Sequence, residues 1–511
     1  ALALTLALQG GGGHFDPTAF GTESDADTEQ SVDFSNAPSR VTPGLLTAAE
    51  DRLEAAMGTG PIAPEGAAAL PSPRELAETA AVALAATILG DPSRVAAPRV
   101  GPEGYLVLNP TGRTRRLVVS LPEAAPDLKP SGPLVAAQLT ETGVRGVVEV
   151  AGFGFAYVPA SSPLETPPAP LGTLSFSEMT LSNGLIHVEI DKTTGGLRSI
   201  RAADESTPRL AQRLVVVKDG QDATRMVKLR HDVDYAGPAL AQAWTEGTLD
   251  DDKGRALARF RQTYRLYAGQ TRVEIEIRLE QLDGDLEARL GSRSSNPWTD
   301  FLACRWAWPD ESATLHRLHR HGLFETQARR PETAEGLLVE VRHREVGLLT
   351  GGLPYHQRKG GRMLDTLLVA GAEQTRVFDL AVTLNPRDLH AAAVDAFAPG
   401  LAVPILGGPP ATGPTGWLVQ VDSPHVAVTR LEHLATGRSG DGRGWGLALH
   451  LAETGGKPGR CKVRFFRDPI WARQTDFLEQ TMVDATIDGD TVLVDFTPHE
   501  VTRLDVTLAA E

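Results

Sequence analysis

The sequence has only two cysteines in 511 residues, Cys304 and Cys461, far apart along the chain. That excludes a disulfide framework and leaves no thiolate zinc cluster to read. Basic residues are in deficit: 50 Lys and Arg face 65 Asp and Glu, a formal net charge of −15. Phosphate binding needs a positive field, so nucleic acid is not an expected partner. No apolar run approaches the ~20 residues of a membrane-spanning helix, so no membrane partner is expected. No Asn-x-Ser/Thr acceptor occurs, since Asn109 is followed by Pro110. The chain opens at Ala1 without Met or a basic segment, which reads as a piece cut from a longer protein. Arg far exceeds Lys and Asn is scarce, as in a GC-rich genome, and a bacterial cytoplasm is the compartment expected.

What is present is ordinary for a soluble globular chain, with 41% hydrophobic and 23% charged residues. The length suggests three or four domains. Residues 1–95 read as helical. Thr42-Pro43 opens an apolar i, i+4 stripe through Leu45, Leu46, Ala49, Leu53 and Met57. Ser72 to Glu75 is a capping box for a helix through Leu76, Ala80, Leu84 and Ile88, ended by Gly90 to Pro92. Each helix carries an apolar face that needs a partner. From Tyr105 the period becomes that of strands. Leu106 to Leu108 and Leu117 to Val119 flank Asn109-Pro-Thr-Gly112, which reads as a hairpin. The expected units are a helical segment over 1–95, a small β-domain over 100–165, a large β-sandwich over 175–400 and a C-terminal β-domain over 410–511. Pro- and Gly-rich linkers, Ser161 to Pro170 and Gly407 to Gly416, separate the last three.

The stretch from Met179 to Ile200 is the most informative. Ile186, Val188 and Ile190 alternate with His187 and Glu189, Asp191 to Gly196 is rich in turn formers, and Leu197 and Ile200 resume the apolar pattern. This predicts a hairpin opening a large antiparallel sheet. Phe260 to Tyr267 and Val273 to Leu279 predict a second pair across Gly269-Gln270. Met179 to Ile200 resembles the start of the large β-sandwich domain of family 38 glycoside hydrolases, the α-mannosidases. Four further stretches are similar to that family in order along the chain. They are Tyr105 to Pro110; Glu332 to Gly336 with Gly351 to Tyr355; Met363 to Asp365 with Arg376 to Phe378; and Trp445 to Glu453.

The resemblance covers roughly residues 100–511. It implies a mainly β, multidomain fold of antiparallel sandwiches, including a large galactose-mutarotase-like supersandwich, preceded by a short helical bundle segment. It further implies that an N-terminal catalytic barrel, carrying the nucleophile and most ligands of an active-site zinc, lies outside this chain. The function implied for the intact protein is zinc-assisted retaining hydrolysis of α-mannosides, with carbohydrate as partner and these β-domains silent alone.

Within the chain, Gln9 to Pro17 followed by Gly21-Thr22 is similar to the family's His-His-Asp…Gly-Thr zinc motif. The resemblance puts His14 at the ligand position. Phe15 replaces the second His, the spacing to Gly-Thr is one residue longer, and a Gly-rich loop with an exposed His is the plain alternative. His316, His319 and His321, interleaved with Arg317 and Arg320, read as solvated sheet residues because neighbouring guanidinium groups repel a cation. Trp306 and Trp308 share a strand face and read as core. Trp298, after a loop Asn-Pro, is the candidate for stacking on a sugar, and Tyr355 is a second candidate contact. Tyr355, His356 and Arg358 sit in a Gly-flanked loop that could reach a neighbouring domain.

Two other readings stand beside the first. One is a stand-alone carbohydrate-binding or structural β-sandwich without catalysis. The other is a mutarotase- or lyase-like enzyme with an acid–base pair among His187, His343 and Glu340 in a cleft. The N-terminal helices discriminate: a fragment should leave their apolar faces unpaired, and a stand-alone protein should cover them.

Overall fold

Period-two alternation governs most of the chain, and the result is mainly β, with antiparallel pairing throughout the named sheets. The computed structural model describes residues 73–511 apart from 97–102, 162–173, 292–295, 372, 399, 435–444, 477–481 and 510–511. Three α-helices occur among the described residues: α1 (Pro73–Leu89), α2 (Gly284–Gly291) and α3 (Leu389–Phe397). The helix expected over Thr42 to Met57 lies outside the described residues.

Two nine-stranded sheets form the large sandwich, as the expected supersandwich requires. The first contains the hairpin of Ile186–Ile190 and Leu197–Ala202, paired Val188 to Ile200 as the alternation predicts. Asp191 fixes its turn by accepting from the backbone N–H of Thr193 and Thr194, both at 2.8 Å. The turn is anchored into the opposite sheet: the Gly195 carbonyl accepts from Tyr264 Oη at 2.8 Å and Thr245 Oγ1 at 2.9 Å. Those partners come from Ala256–Tyr267 and Leu240–Asp250 of the second sheet. Ala256–Tyr267 also pairs with Arg272–Leu282, Leu266 opposite Val273, as expected. Between the sheets lies one large apolar core that includes Ile186, Val188, Phe260, Ile275 and Trp306. Trp306 and Trp308 are buried, in agreement with the core reading.

The Asn109 turn differs from expectation. Gly104–Asn109 pairs with Gly154–Pro159 and Leu401–Ile405, whereas Arg115–Leu121 pairs with Gly143–Val150 in a separate three-stranded sheet. The segment is therefore a corner between sheets. Asn109 makes it, since its buried amide donates to the carbonyls of Arg113, Val150 and Ala151 while Oδ1 accepts from Thr111.

The apolar face of α1 has a partner inside the chain. Ala81, Leu84, Ala85 and Ile88 pack on Leu106, Leu108, Phe155, Val403 and Ile405. Burying a side chain the size of Leu contributes about 1.5–3 kcal/mol, enough to hold one helix on the sheet. At the C-terminal end, Trp445–Glu453 joins Val426–Leu434 and Val501–Leu508 in a five-stranded sheet, which packs on a four-stranded one around its own core.

Candidate functional site

On the first large sheet, register sorts side chains between faces. Leu214, Cys304 and Thr366 point into the shared core, so Arg213, Arg305 and Asp365, one residue along on the same three strands, point away. Further along that outer face, Val215, Val217, Phe301, Ala303 and Leu367 form a small apolar patch. Arg305 is locked between two carboxylates: it donates from Nε and Nη2 to Asp365 at 2.6 and 2.8 Å, and from Nη1 and Nη2 to Asp222. These charges raise the Arg305 pKa against the opposing effect of burial, so the guanidinium is permanently charged and already paired.

Trp298 lies over the apolar patch. Its loop is set by Asn296, whose Oδ1 accepts the Trp298 N–H at 3.0 Å, an Asx turn. Tyr355 meets it edge to face, ring centroids 5.8 Å apart at 81°. The two sequence candidates for sugar contact are thus brought together. Their availability differs. The Arg330 guanidinium sits 4.6 Å over the Trp298 ring, and Trp298 is half-buried, whereas Tyr355 is 50% exposed. A sugar stacking on Trp298 must displace Arg330; one resting on Tyr355 need not.

His356, one residue on from Tyr355, is a core residue and does not sit in a polar loop. It lies on the strand His356–Arg358, fully buried, with Nε2 donating to the Thr333 carbonyl at 3.0 Å and Nδ1 bonded to Thr366 Oγ1 at 3.1 Å. Trp306 Nε1 donates to the same Thr366 hydroxyl at 3.0 Å, which leaves that hydroxyl to donate to His356. Burial lowers the His356 pKa to about 4, so the ring is neutral.

The histidines at 316–321 do not behave as one solvated row. His316 and His319 lie on the strand Thr314–His319, but His321 occupies the following turn at φ +70° and meets Glu335 and His390. Sequence reasoning missed this trio because it is assembled from a turn, a loop and α3. The acid–base candidates of the third reading are split between sheets. His187 is on Ile186–Ile190, while His343 lies in the turn between Gly336–Val341 and Arg344–Leu349, 3.9 Å from Glu340. His14 lies outside the described residues.

No family model and no curated protein matches the sequence. Solved structures do match. An α-mannosidase from Enterococcus faecalis V583 aligns with 85% of this chain and 59% of its own, at 11% identity and a TM-score of 0.59. A glycosyl hydrolase family 38 protein from Enterococcus faecalis aligns with 85% of this chain and 62% of its own, at 11% identity and a TM-score of 0.57. Over that span this chain has their fold. It covers about three-fifths of their length, and at 11% identity the likeness speaks to architecture. Among the described residues no helix is long and apolar enough to cross a membrane.

Proposed function

We propose that this chain is the β-sandwich portion of a glycoside hydrolase of α-mannosidase type, acting in the intact protein on α-mannosides by retaining hydrolysis. The observation that carries this reading is the pair of matches that span 85% of this chain but only 59% and 62% of the matched chains. In this reading the remaining length includes the catalytic barrel, which supplies the nucleophile and most ligands of the zinc. Zinc there would polarise the hydroxyls of the bound sugar. His14, the one ligand expected from this chain, is outside the described residues, so no catalytic step is assigned to these domains. Their part is to bind and frame: Tyr355, with Trp298 behind it, offers an aromatic edge to a sugar at the rim of the first large sheet.

One observation favours the second reading, a stand-alone sugar-binding or structural sandwich. The face of α1 is covered by this chain's own small sheet of Gly104–Asn109, Gly154–Pro159 and Leu401–Ile405 and needs no barrel to cover it. The mass of the native protein in its source cells decides between them, measured with an antibody raised against this segment. A species well above 54.5 kDa supports the first reading. A species of 54.5 kDa refutes it and leaves sugar binding on the sandwich itself.

A further inference from the structure

His321, Glu335 and His390 approach one another on the second large sheet and the helix beside it. His390 Nδ1 is 3.5 Å from His321 Nδ1 and 3.2 Å from Glu335 Oε2, and the donor atoms of all three residues lie within 4.8 Å of each other. Ligands held 2.0–2.2 Å from a tetrahedral zinc stand about 3.3–3.6 Å apart, so two of the three edges are already close to that length.

Proton bookkeeping gives a second, separate argument. The Nδ1 of a neutral imidazole either carries one hydrogen or offers one lone pair. If His390 Nδ1 carries the hydrogen and gives it to Glu335, it has no lone pair for His321. If it carries none, its lone pair faces the carboxylate. In either tautomer Nδ1 bonds only one of the two, and the His321 and His390 rings otherwise meet edge to face, centroids 4.6 Å apart at 78°. A cation among the three atoms satisfies all of them at once.

The backbone points the same way. Arg320 and His321 form the two-residue turn between Thr314–His319 and Gly322–Glu325, with His319 opposite Gly322, and both have positive φ, +48° and +70°. Histidine tolerates the left-handed region, as His343 does in the next hairpin, and this turn brings His321 to Glu335 and His390. His390 is held by α3, whose first turn is capped by Asp388 accepting from Ala391 N–H at 2.7 Å. It also borders a recess of about 80 Å³ shared with Thr111, Asp388 and Pro424.

We propose that His321, Glu335 and His390 form a metal site for a divalent transition ion, zinc by its two imidazoles and one carboxylate, with water completing the tetrahedron. This ion is distinct from the one implied for the catalytic barrel, and the site stands whether or not the α-mannosidase reading does. It ties the 320–321 turn, the loop before Gly336–Val341 and α3 into one unit.

The test uses the full chain, stripped with a chelator and titrated with zinc against a chromophoric competitor. Cobalt(II) is added in a parallel sample to report tetrahedral coordination by its visible absorption. The expected result is one ion per chain in this site. Its affinity should fall about 100-fold or more in both His390→Ala and Glu335→Ala, beyond the 10–100-fold typical of losing a mere supporting partner. Metal-free variants should keep the wild-type circular dichroism, which separates loss of a ligand from loss of fold. Zinc binding of equal strength in wild type, His390→Ala and Glu335→Ala, or no binding in folded wild type, overturns the proposal. A His14→Ala variant should leave this site's affinity and cobalt spectrum unchanged.

Discussion

Arg305 and Asp365 lie opposite each other on neighbouring strands and form a two-pronged, buried ion pair, 2.6 and 2.8 Å. Removing one member leaves the other charge buried without its partner, which costs about 3–5 kcal/mol. Arg305→Met should therefore lower the urea stability of the sandwich by that amount. The double variant Arg305→Met/Asp365→Leu should recover most of the loss. Equal destabilisation of the single and double variants would show that the cost lies in packing and not in the stranded charge.

His356 predicts a pH dependence whose sign follows from its depressed pKa. The folded ring titrates at about 4, the unfolded one near the ordinary 6.5. Between those values the unfolded chain takes up a proton that the folded chain refuses. Stability from this residue is complete above about 6.5 and declines as pH falls toward about 4, by on the order of 3 kcal/mol in total. Urea midpoints at pH 7.5, 6 and 5 should fall more steeply in wild type than in His356→Asn. Parallel slopes would contradict the assignment.

Helix α1 should owe its place to the small sheet of Gly104–Asn109, Gly154–Pro159 and Leu401–Ile405. Leu84 is 2% exposed, and Leu84→Ala should cost about 2–5 kcal/mol. Limited proteolysis should then cut α1 first, before the large sandwich. Unchanged protection of the helix would mean that its packing on Leu106 and Phe155 is not what holds it.

If the sandwich rim contacts sugar, Tyr355→Ala should weaken binding of an α-mannoside about 2- to 10-fold, the worth of one aromatic contact. Arg330→Ala should tighten it by uncovering the Trp298 ring. Calorimetric titration of both variants checks this. Identical affinities in wild type and both variants would remove the rim from the binding surface.

Local pattern made the strongest elements legible. The hairpin of Ile186–Ile190 and Leu197–Ala202 combines strict alternation with an Asp-led turn, and both signals act within a few residues. The pair of Ala256–Tyr267 and Arg272–Leu282 is legible for the same reason. Asn109 shows where such reading stops. Its turn chemistry is real, but its amide reaches Val150 and Ala151, so the chain leaves one sheet for another instead of folding back. The partner of α1 was not legible because it draws on Val403 and Ile405, some three hundred residues away in sequence. The trio of His321, Glu335 and His390 was hidden for two reasons. His321 sits at φ +70° in a turn where alternation does not hold, and its partners come from other elements. Trp298 and Tyr355 could be named from their loops, while the Arg330 that covers Trp298 gave no local signal.

In the proposed reading these sandwiches serve an α-mannoside hydrolase. The most direct measurement precipitates the native protein from its source cells with an antibody to this segment and assays the precipitate on an aryl α-mannoside. Activity should be depleted from the lysate with the protein, be lost on chelation and return with zinc. A fully depleted lysate that keeps all its α-mannosidase activity, beside an inactive precipitate, would contradict it.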